Sequence, residues 1–477
     1  MKNKRIRILF LVFTACLLLS ACNKQLNVLP TTSEVDGNII TDLQSAKTAL
    51  NGVYFRFANA SSDQSSVPNT QWYDVMEGFP SQLAGLATSF GGSAITDHSF
   101  TAADYGIDGI WNYGYNLVNA ANGFMKNLES TTSVSDDAKK EMMGEAKFLR
   151  AFANATLLLY YGQYADASSQ YGIILRSEFV KAGEINLPRS TVAQTYTSIL
   201  ADLDDAIASL PTKNSQIYYA NVWAAKLLKA RLLINRGGMD DYATVVSLTQ
   251  DIIANSPFSL EANVKDIFLS KAFNSNEVIM GIQPYQNGGS FKYETYLIDA
   301  TYAVSDSLVS LIASDPRNQW YYKAITLYGY FHVNVITKYY PGSVITPAVD
   351  LISDYSYAFR LTEAYLLEAE ALVASGGSLD DAKTLLKTIM GHAGIIDFAA
   401  VDAENTRPGL QLMIIKEEMK NFFAEGGQDW LAVRRLPFAT LQMLVPAIQN
   451  KDQLLLPIPQ TEITRNGKIA GQQNPGY

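Results

Sequence analysis

Apolar residues recur at spacings of three and four along several long stretches of the chain. From Ile110, the residues Gly114, Leu117, Val118, Ala121, Phe124, Met125 and Leu128 fall on one stripe of a helix. Residues 144–161 repeat the pattern through Ala146, Leu149, Ala153, Leu157 and Tyr160. The same period predicts helices over 192–210, 219–235, 242–254, 359–374, 380–390 and 410–424. Two stretches resemble each other, WAAKLLKARLLINRGGMDDYATVVSLTQDII from Trp223 and TEAYLLEAEALVASGGSLDDAKTLLKTIM from Thr362. Each reads as a helix, a Gly-Gly break and an Asp-Asp pair that opens a second helix. Glycine takes the left-handed conformation that ends a helix, and acids suit the positive end of the next one. Small alanines at the contact positions let two such helices approach closely. The expected fold class is therefore mostly α, with tetratricopeptide-like helix hairpins stacked so that each covers the apolar face of its neighbour.

Between the helical blocks the period is lost. Residues 55–109 and 284–349 are rich in Gly, Ser, Asn and scattered aromatics, as in SSDQSSVPNTQWYD, TSFGGSAITDHSF, DPRNQWYY and LYGYFHV. Connections this long inside a compact unit are commonly functional. Their aromatic content argues against disorder. The amino-terminal end differs again, with basic residues, an apolar run over 8–19 that is too short to span a bilayer, then Ser20, Ala21 and Cys22. A signal peptide over 1–21 is expected, followed by one unit over 22–477.

Loss of the leader would remove Lys2, Lys4, Arg5 and Arg7 and move the formal charge from −9 to −13. An acidic body lacks the Lys and Arg clusters that track phosphates, so nucleic acid is an unsuitable partner. The three histidines, His98, His332 and His392, stand at no metal-ligand spacing, and the chain carries no nucleophile elbow or Walker loop. No cofactor and no metal are expected. Carboxylate pairs could serve a glycosidase, but Glu141/Glu145, Asp204/Asp205, Glu368/Glu370 and Glu417/Glu418 all fall on helical stretches, where helix contacts or solvated faces are the plainer reading. On the first long loop, Asp97 and Asp104 are better placed to meet a ligand.

A pyranose has an apolar C–H face and a rim of hydroxyls, so its site needs a flat ring beside amide and carboxylate groups. Trp72, Tyr73 and Phe90 in the first irregular segment, and Trp320, Tyr321 and Tyr322 in the second, stand next to Asn69, Gln71, Asp74, Asp97, Asn318 and Gln319. Of these, Trp72, Tyr73, Phe90, Asp97, Trp320 and Tyr321 are the candidate ligand contacts. Trp111, Trp223 and Trp430 lie on or beside helical stripes and are assigned to the core.

Several stretches together resemble one family. LNVLPTTSEV through AKTALNGVY is similar to its opening, and GEAKFLRAFANATLLLYYGQYA to its helix closing on Tyr-Gly. PRSTVAQTYTSILADLDDAIASLP, FRLTEAYLLEAEAL and the terminal LLLPIPQTEITRNGKIAGQQNPGY follow in the same order. This set resembles the SusD/RagB outer-membrane nutrient-binding lipoproteins. It departs at QYADASSQYG, after Tyr161-Gly162, and within EGGQDWLAVRRLP. Leu19-Ser20-Ala21-Cys22 is similar to the lipobox of bacterial lipoproteins, which implies lipidation at Cys22. The resemblance further implies a non-enzymatic protein on the outer membrane, a glycan-capturing lid over a SusC-like TonB-dependent transporter. A peptide-binding RagB-like member, or a surface glycoside hydrolase, are the rival expectations.

Overall fold

The computed structural model describes residues 39–59, 72–89, 91–104, 106–180, 185–282, 292, 294–340 and 355–477. Helices dominate, as the apolar period requires. In chain order they include α1 (Leu43–Ala58), α2 (Phe79–Leu83), α3 (Ile107–Ser130), α4 (Asp136–Tyr161), α5 (Val192–Ser209), α6 (Val222–Arg236) and α7 (Met239–Asn255). After these come α8 (Asp306–Leu311), α9 (Leu361–Ala374), α10 (Leu379–His392), α11 (Arg407–Asn421), α12 (Gln428–Val433) and α13 (Phe438–Leu444). Neighbours in sequence pack as neighbours in space from α3 to α7, and α9 closes against both α7 and α10. The scaffold is thus mostly α and built of tetratricopeptide-like hairpins.

Both Gly-Gly breaks do what their sequence suggests. Gly237 is left-handed at φ +76 and ends α6, while Gly238 donates its backbone N–H to Asp241 Oδ2 at 3.0 Å. Asp241 also receives Arg236 Nε at 2.8 Å, so the second acid after the break locks the corner. In the second hairpin Gly376 is left-handed at φ +83 and Ser378 caps α10. Arg231 of α6 grips Glu363 of α9 through two hydrogen bonds of 2.6 and 2.7 Å. Both groups are buried, so this fork fixes how the two hairpins meet.

The carboxylate pairs fall to structural work. Glu145 accepts from Tyr54, Glu370 and Glu418 share Arg435, and Glu417 pairs with Arg317. Asp204 and Asp205 pair with Lys229 and Lys147 on neighbouring helices.

The segments without helical period are organised differently from the helices but are not structureless. The first begins inside α1 and ends inside α3, and contains a π-helical turn at Tyr73–Gly78 that runs into α2. Six strands are described: β1 (Ala87–Thr88), β2 (Val278–Ile282), β3 (Ala303–Val304), β4 (Tyr322–Leu327), β5 (Phe331–Ile336) and β6 (Ser356–Arg360). They form an antiparallel sheet in the order β1-β3-β5-β4 and a separate β2-β6 ribbon. The four-stranded sheet therefore joins one irregular segment to the other.

Candidate functional site

Three connections bring the two irregular segments together. Ala87 and Thr88 of β1 pair with Val304 and Ala303 of β3. Ser305, which caps α8, donates its hydroxyl to the Gly85 carbonyl at 2.7 Å, and its N–H reaches Leu86 O at 3.1 Å. Deeper, Lys292 forms a buried ion pair with Glu77 at 2.9 Å while its ammonium sits 3.3 Å from the centre of the Tyr339 ring. Tyr296 donates to Glu77 Oε2 at 3.0 Å, and the Ser356 side chain also hydrogen-bonds that acid. A charge this enclosed persists only with such partners, so Glu77 and Lys292 act as a rivet between the segments.

Two adjoining cavities open beside this junction, with Ser89 in the wall of both. The smaller, of about 290 Å³, lies between the Tyr73–Gly78 turn, the start of α3 and residues 295–302. Tyr73, Phe79 and Tyr302 supply its aromatic wall, and Asp74, Gln82 and Asp108 its polar groups. Tyr302 donates its hydroxyl to Asp74. Burial pushes the Asp74 carboxyl above the usual range, and that hydrogen bond partly opposes the rise. Gly78 makes the arrangement possible, because a Cβ there would stand 2.5 Å from the Tyr302 ring.

The larger cavity, of about 500 Å³, lies over the sheet between the turn bearing Asp97, β3, the start of α8, β5 and residues 444–447. Asp97, Asp306, His332 and Asn334 are its principal polar side chains. Beyond it the β4–β5 hairpin projects outward. Tyr328 and Gly329 both have positive φ, +50 and +76, which is the backbone of the tight turn whose twist matches paired strands. Around this tip Tyr328, Tyr330 and Phe331 are 69%, 83% and 50% exposed.

The sequence-derived candidates divide accordingly. Asp97 is exposed and lines the larger cavity, and Tyr73 lines the smaller one, although it is only 9% exposed. Trp72 is 1% exposed, stacked 5.8 Å from Phe152 and edge-on to Phe57 at 5.2 Å. Tyr321 is fully enclosed and donates to the Lys420 carbonyl at 2.9 Å. Neither ring offers a face to a ligand, so the expectation for these two is corrected: both pin their segment to the helical body. Trp320 is half-buried against Phe268 and Tyr321 and lines neither cavity. Phe90 lies outside the described residues. Asp104 is engaged locally, accepting from the Thr101 N–H and hydroxyl at 2.6 and 2.7 Å. Tyr302, Tyr330 and Phe331 went unselected from sequence. The available signal was a Tyr-Gly turn between two alternating runs, which would have marked 322–336 as a hairpin with an outward tip.

Comparisons with known proteins bear on the same segments. A family model described as SusD-like_3, starch-binding associating with outer membrane, matches residues 69–233, and a second, described as SusD family, matches residues 322–443. The chain belongs to the SusD/RagB family. Within that family, a SusD-like protein of Bacteroides ovatus is 23% identical over 430 residues, covering 81% of this chain and 74% of its own. Among solved structures, a SusD superfamily protein from Bacteroides thetaiotaomicron superposes with a TM-score of 0.72 at 21% identity, over 91% of this chain and all of that one. A structure described as a laminarin binding SusD-like protein superposes with a TM-score of 0.70 at 18% identity, over 92% of this chain and all of its own. The SusD fold thus extends over both irregular segments as well as the helical scaffold.

Proposed function

We propose that this SusD-family protein captures oligosaccharides without turning them over and hands them to a SusC-like TonB-dependent transporter in the outer membrane. One observation carries the reading: two segments far apart in sequence converge to form cavities in which Tyr73, Phe79 and Tyr302 stand beside carboxylate and amide side chains. These rings are largely buried, at 9%, 6% and 6% exposed, so they give a sugar's C–H groups an apolar border while the polar groups address its hydroxyls. The starch-binding description of the matching family model and the laminarin-binding neighbour favour a glycan over a peptide.

Cys22, lipidated after removal of residues 1–21, would tether the remaining unit, 22–477, to the membrane. No helix among the described residues is long and apolar enough to cross a bilayer. Acyl chains contribute about 0.8 kcal/mol per buried methylene, so lipid on one cysteine can hold the body at the surface. The outer face of the outer membrane is the location that suits capture from outside.

The test is a glycan and peptide array probed with the protein from residue 23 onward, paired with fractionation of a Cys22→Ser variant and co-purification from gently solubilised membranes. Oligosaccharide hits, a large barrel partner and release of the variant into the soluble fraction are expected. Peptide hits alone, or release of reducing ends from a bound glycan, would replace this reading.

A further inference from the structure

The charges of the two irregular segments are distributed unequally between interior and surface. Of the cations in 284–349, Lys292, Arg317 and Lys338 are all buried. Each is held in an ion pair, Lys292 by Glu77, Arg317 by Asp315 and Lys338 by Glu425. Lys323 is exposed on β4 and lines neither cavity. In 55–109 the one cation is Arg56, which lines a separate cavity between α1 and α3. The stretches of these segments outside the described residues, 60–71, 90, 105, 283–291, 293 and 341–354, contain no Lys or Arg that could complete the walls.

Carboxylates are placed the opposite way. Asp108 enters the smaller cavity, where Asp74 lies deeper, and Asp97 and Asp306 are exposed in the wall of the larger. Among the described residues lining the two cavities there is no Lys or Arg. An anionic sugar entering here would lose hydration and meet carboxylates with no Lys or Arg among the described lining residues, only imidazole, amide and hydroxyl groups beside them, whereas a hydroxyl or ammonium group would find acceptors.

We propose that these cavities select neutral and amino-bearing saccharides and reject glycans carrying carboxylate or sulfate groups, with Asp97, Asp108 and Asp306 setting the discrimination. This rests on the glycan-capture reading and specifies its ligand class. The effect is electrostatic, so it depends on salt: the screening length is about 10 Å at 0.1 M and about 3 Å at 1 M.

The experiment begins with an array of gluco-, xylo- and chitooligosaccharides, chitosan oligosaccharides, oligouronates, and sialylated and sulfated glycans. The strongest neutral hit is then measured by calorimetry beside its C6-oxidised form, at low and at 1 M salt, on the parent and on Asp97→Asn/Asp108→Asn/Asp306→Asn. Neutral or chitosan hits are expected, with at least about tenfold weaker binding of the oxidised form at low salt. That ratio should shrink severalfold at 1 M salt and in the triple variant. Hits concentrated among uronates or sulfated glycans would overturn the proposal while leaving glycan capture intact. A ratio indifferent to both salt and substitution would overturn it as well, since shape rather than charge would then discriminate. An array without any glycan hit would remove the capture reading, and this inference with it.

Discussion

Two aromatic residues with the same promise in sequence have opposite roles in the structure, and the difference can be measured. Trp72 is packed against Phe57, Tyr113 and Phe152 beneath the site. Trp72→Ala is therefore expected to cost about 3–5 kcal/mol in urea unfolding. Tyr330 is the most exposed of the hairpin-tip rings. Its substitution, Tyr330→Ala, should leave unfolding within about 0.5 kcal/mol of the parent. If a sugar extends from the larger cavity onto the hairpin, glycan affinity should nevertheless fall about three- to tenfold, the worth of one aromatic platform. Unchanged affinity for every array hit would confine the site to the cavities. Sequence placed aromatics in the right segments but could not say which face each ring would turn outward. In Trp320-Tyr321-Tyr322 the half-buried, buried and half-buried states alternate because the chain is entering β4, and that register is set by β5 pairing rather than by local composition.

At the scale of elements, the close approach of the Tyr73–Gly78 turn to the Tyr302 ring is the joint on which the smaller cavity depends. Gly78 has ordinary helical φ, so alanine there would ordinarily gain about 0.5–1 kcal/mol from reduced backbone freedom. The added methyl, however, would stand 2.5 Å from a ring that is itself buried. Overpacking of this kind costs about 1–3 kcal/mol and should win. Gly78→Ala is expected to lower stability and to weaken binding of the array hit together. In a Tyr302→Leu background the same substitution should be nearly neutral, giving a coupling of at least about 1 kcal/mol in a double-mutant cycle. Additive effects would mean that the two elements do not bear on each other. This joint was invisible in sequence, whereas the long helices were plain. A helix such as α3 repeats its apolar stripe from Ile107 to Leu128, over about six turns, so the period declares it. The pairing of β1 with β3 involves two residues on each strand and joins positions more than two hundred residues apart. No local pattern encodes such a contact, which is why 55–109 and 284–349 read as irregular insertions without assigned elements.

For the whole molecule, the buried carboxyls make stability depend on pH in two opposed ways. Asp429 is fully enclosed, accepts from Ser81 and from the Trp430 N–H, and burial pushes it up to about 7 from 3.8. Burial likewise takes Glu145, beside Tyr54, up to about 7 from 4.5. The folded protein retains these protons over a range in which the unfolded chain has released them. Their contribution is therefore complete below about pH 4 and is lost as pH rises to 7. For Glu277 burial works upward too, but His392 and Arg360 outweigh it and hold the acid down at about 2. Asp315 is held at about 2 in the same way by Arg317 and Lys420. Those two stabilise the fold above about pH 4.5 and lose their effect as pH falls toward 2. His98, which burial lowers, also withdraws stability on the acid side. Unfolding free energy should accordingly peak near pH 4.5 and decline toward 7.5. Each raised acid adds a slope of up to about 1.4 kcal/mol per pH unit. Asp429→Asn supplies the decisive comparison, because a carboxamide mimics the protonated acid and still accepts from Ser81. Its urea-unfolding free energy should match the parent near pH 4 and exceed it by a growing margin from pH 5 to 7.5, with the slope between them shallower by one group's share. A parent curve that rises steadily from pH 5 to 7.5, or a variant with an unaltered slope, would show that Asp429 is ionised in the fold. Ser81 belongs to α2, whose Phe79 and Gln82 line the smaller cavity, so the Asp429 oxygen that accepts from Ser81 also helps hold that wall against the helical body.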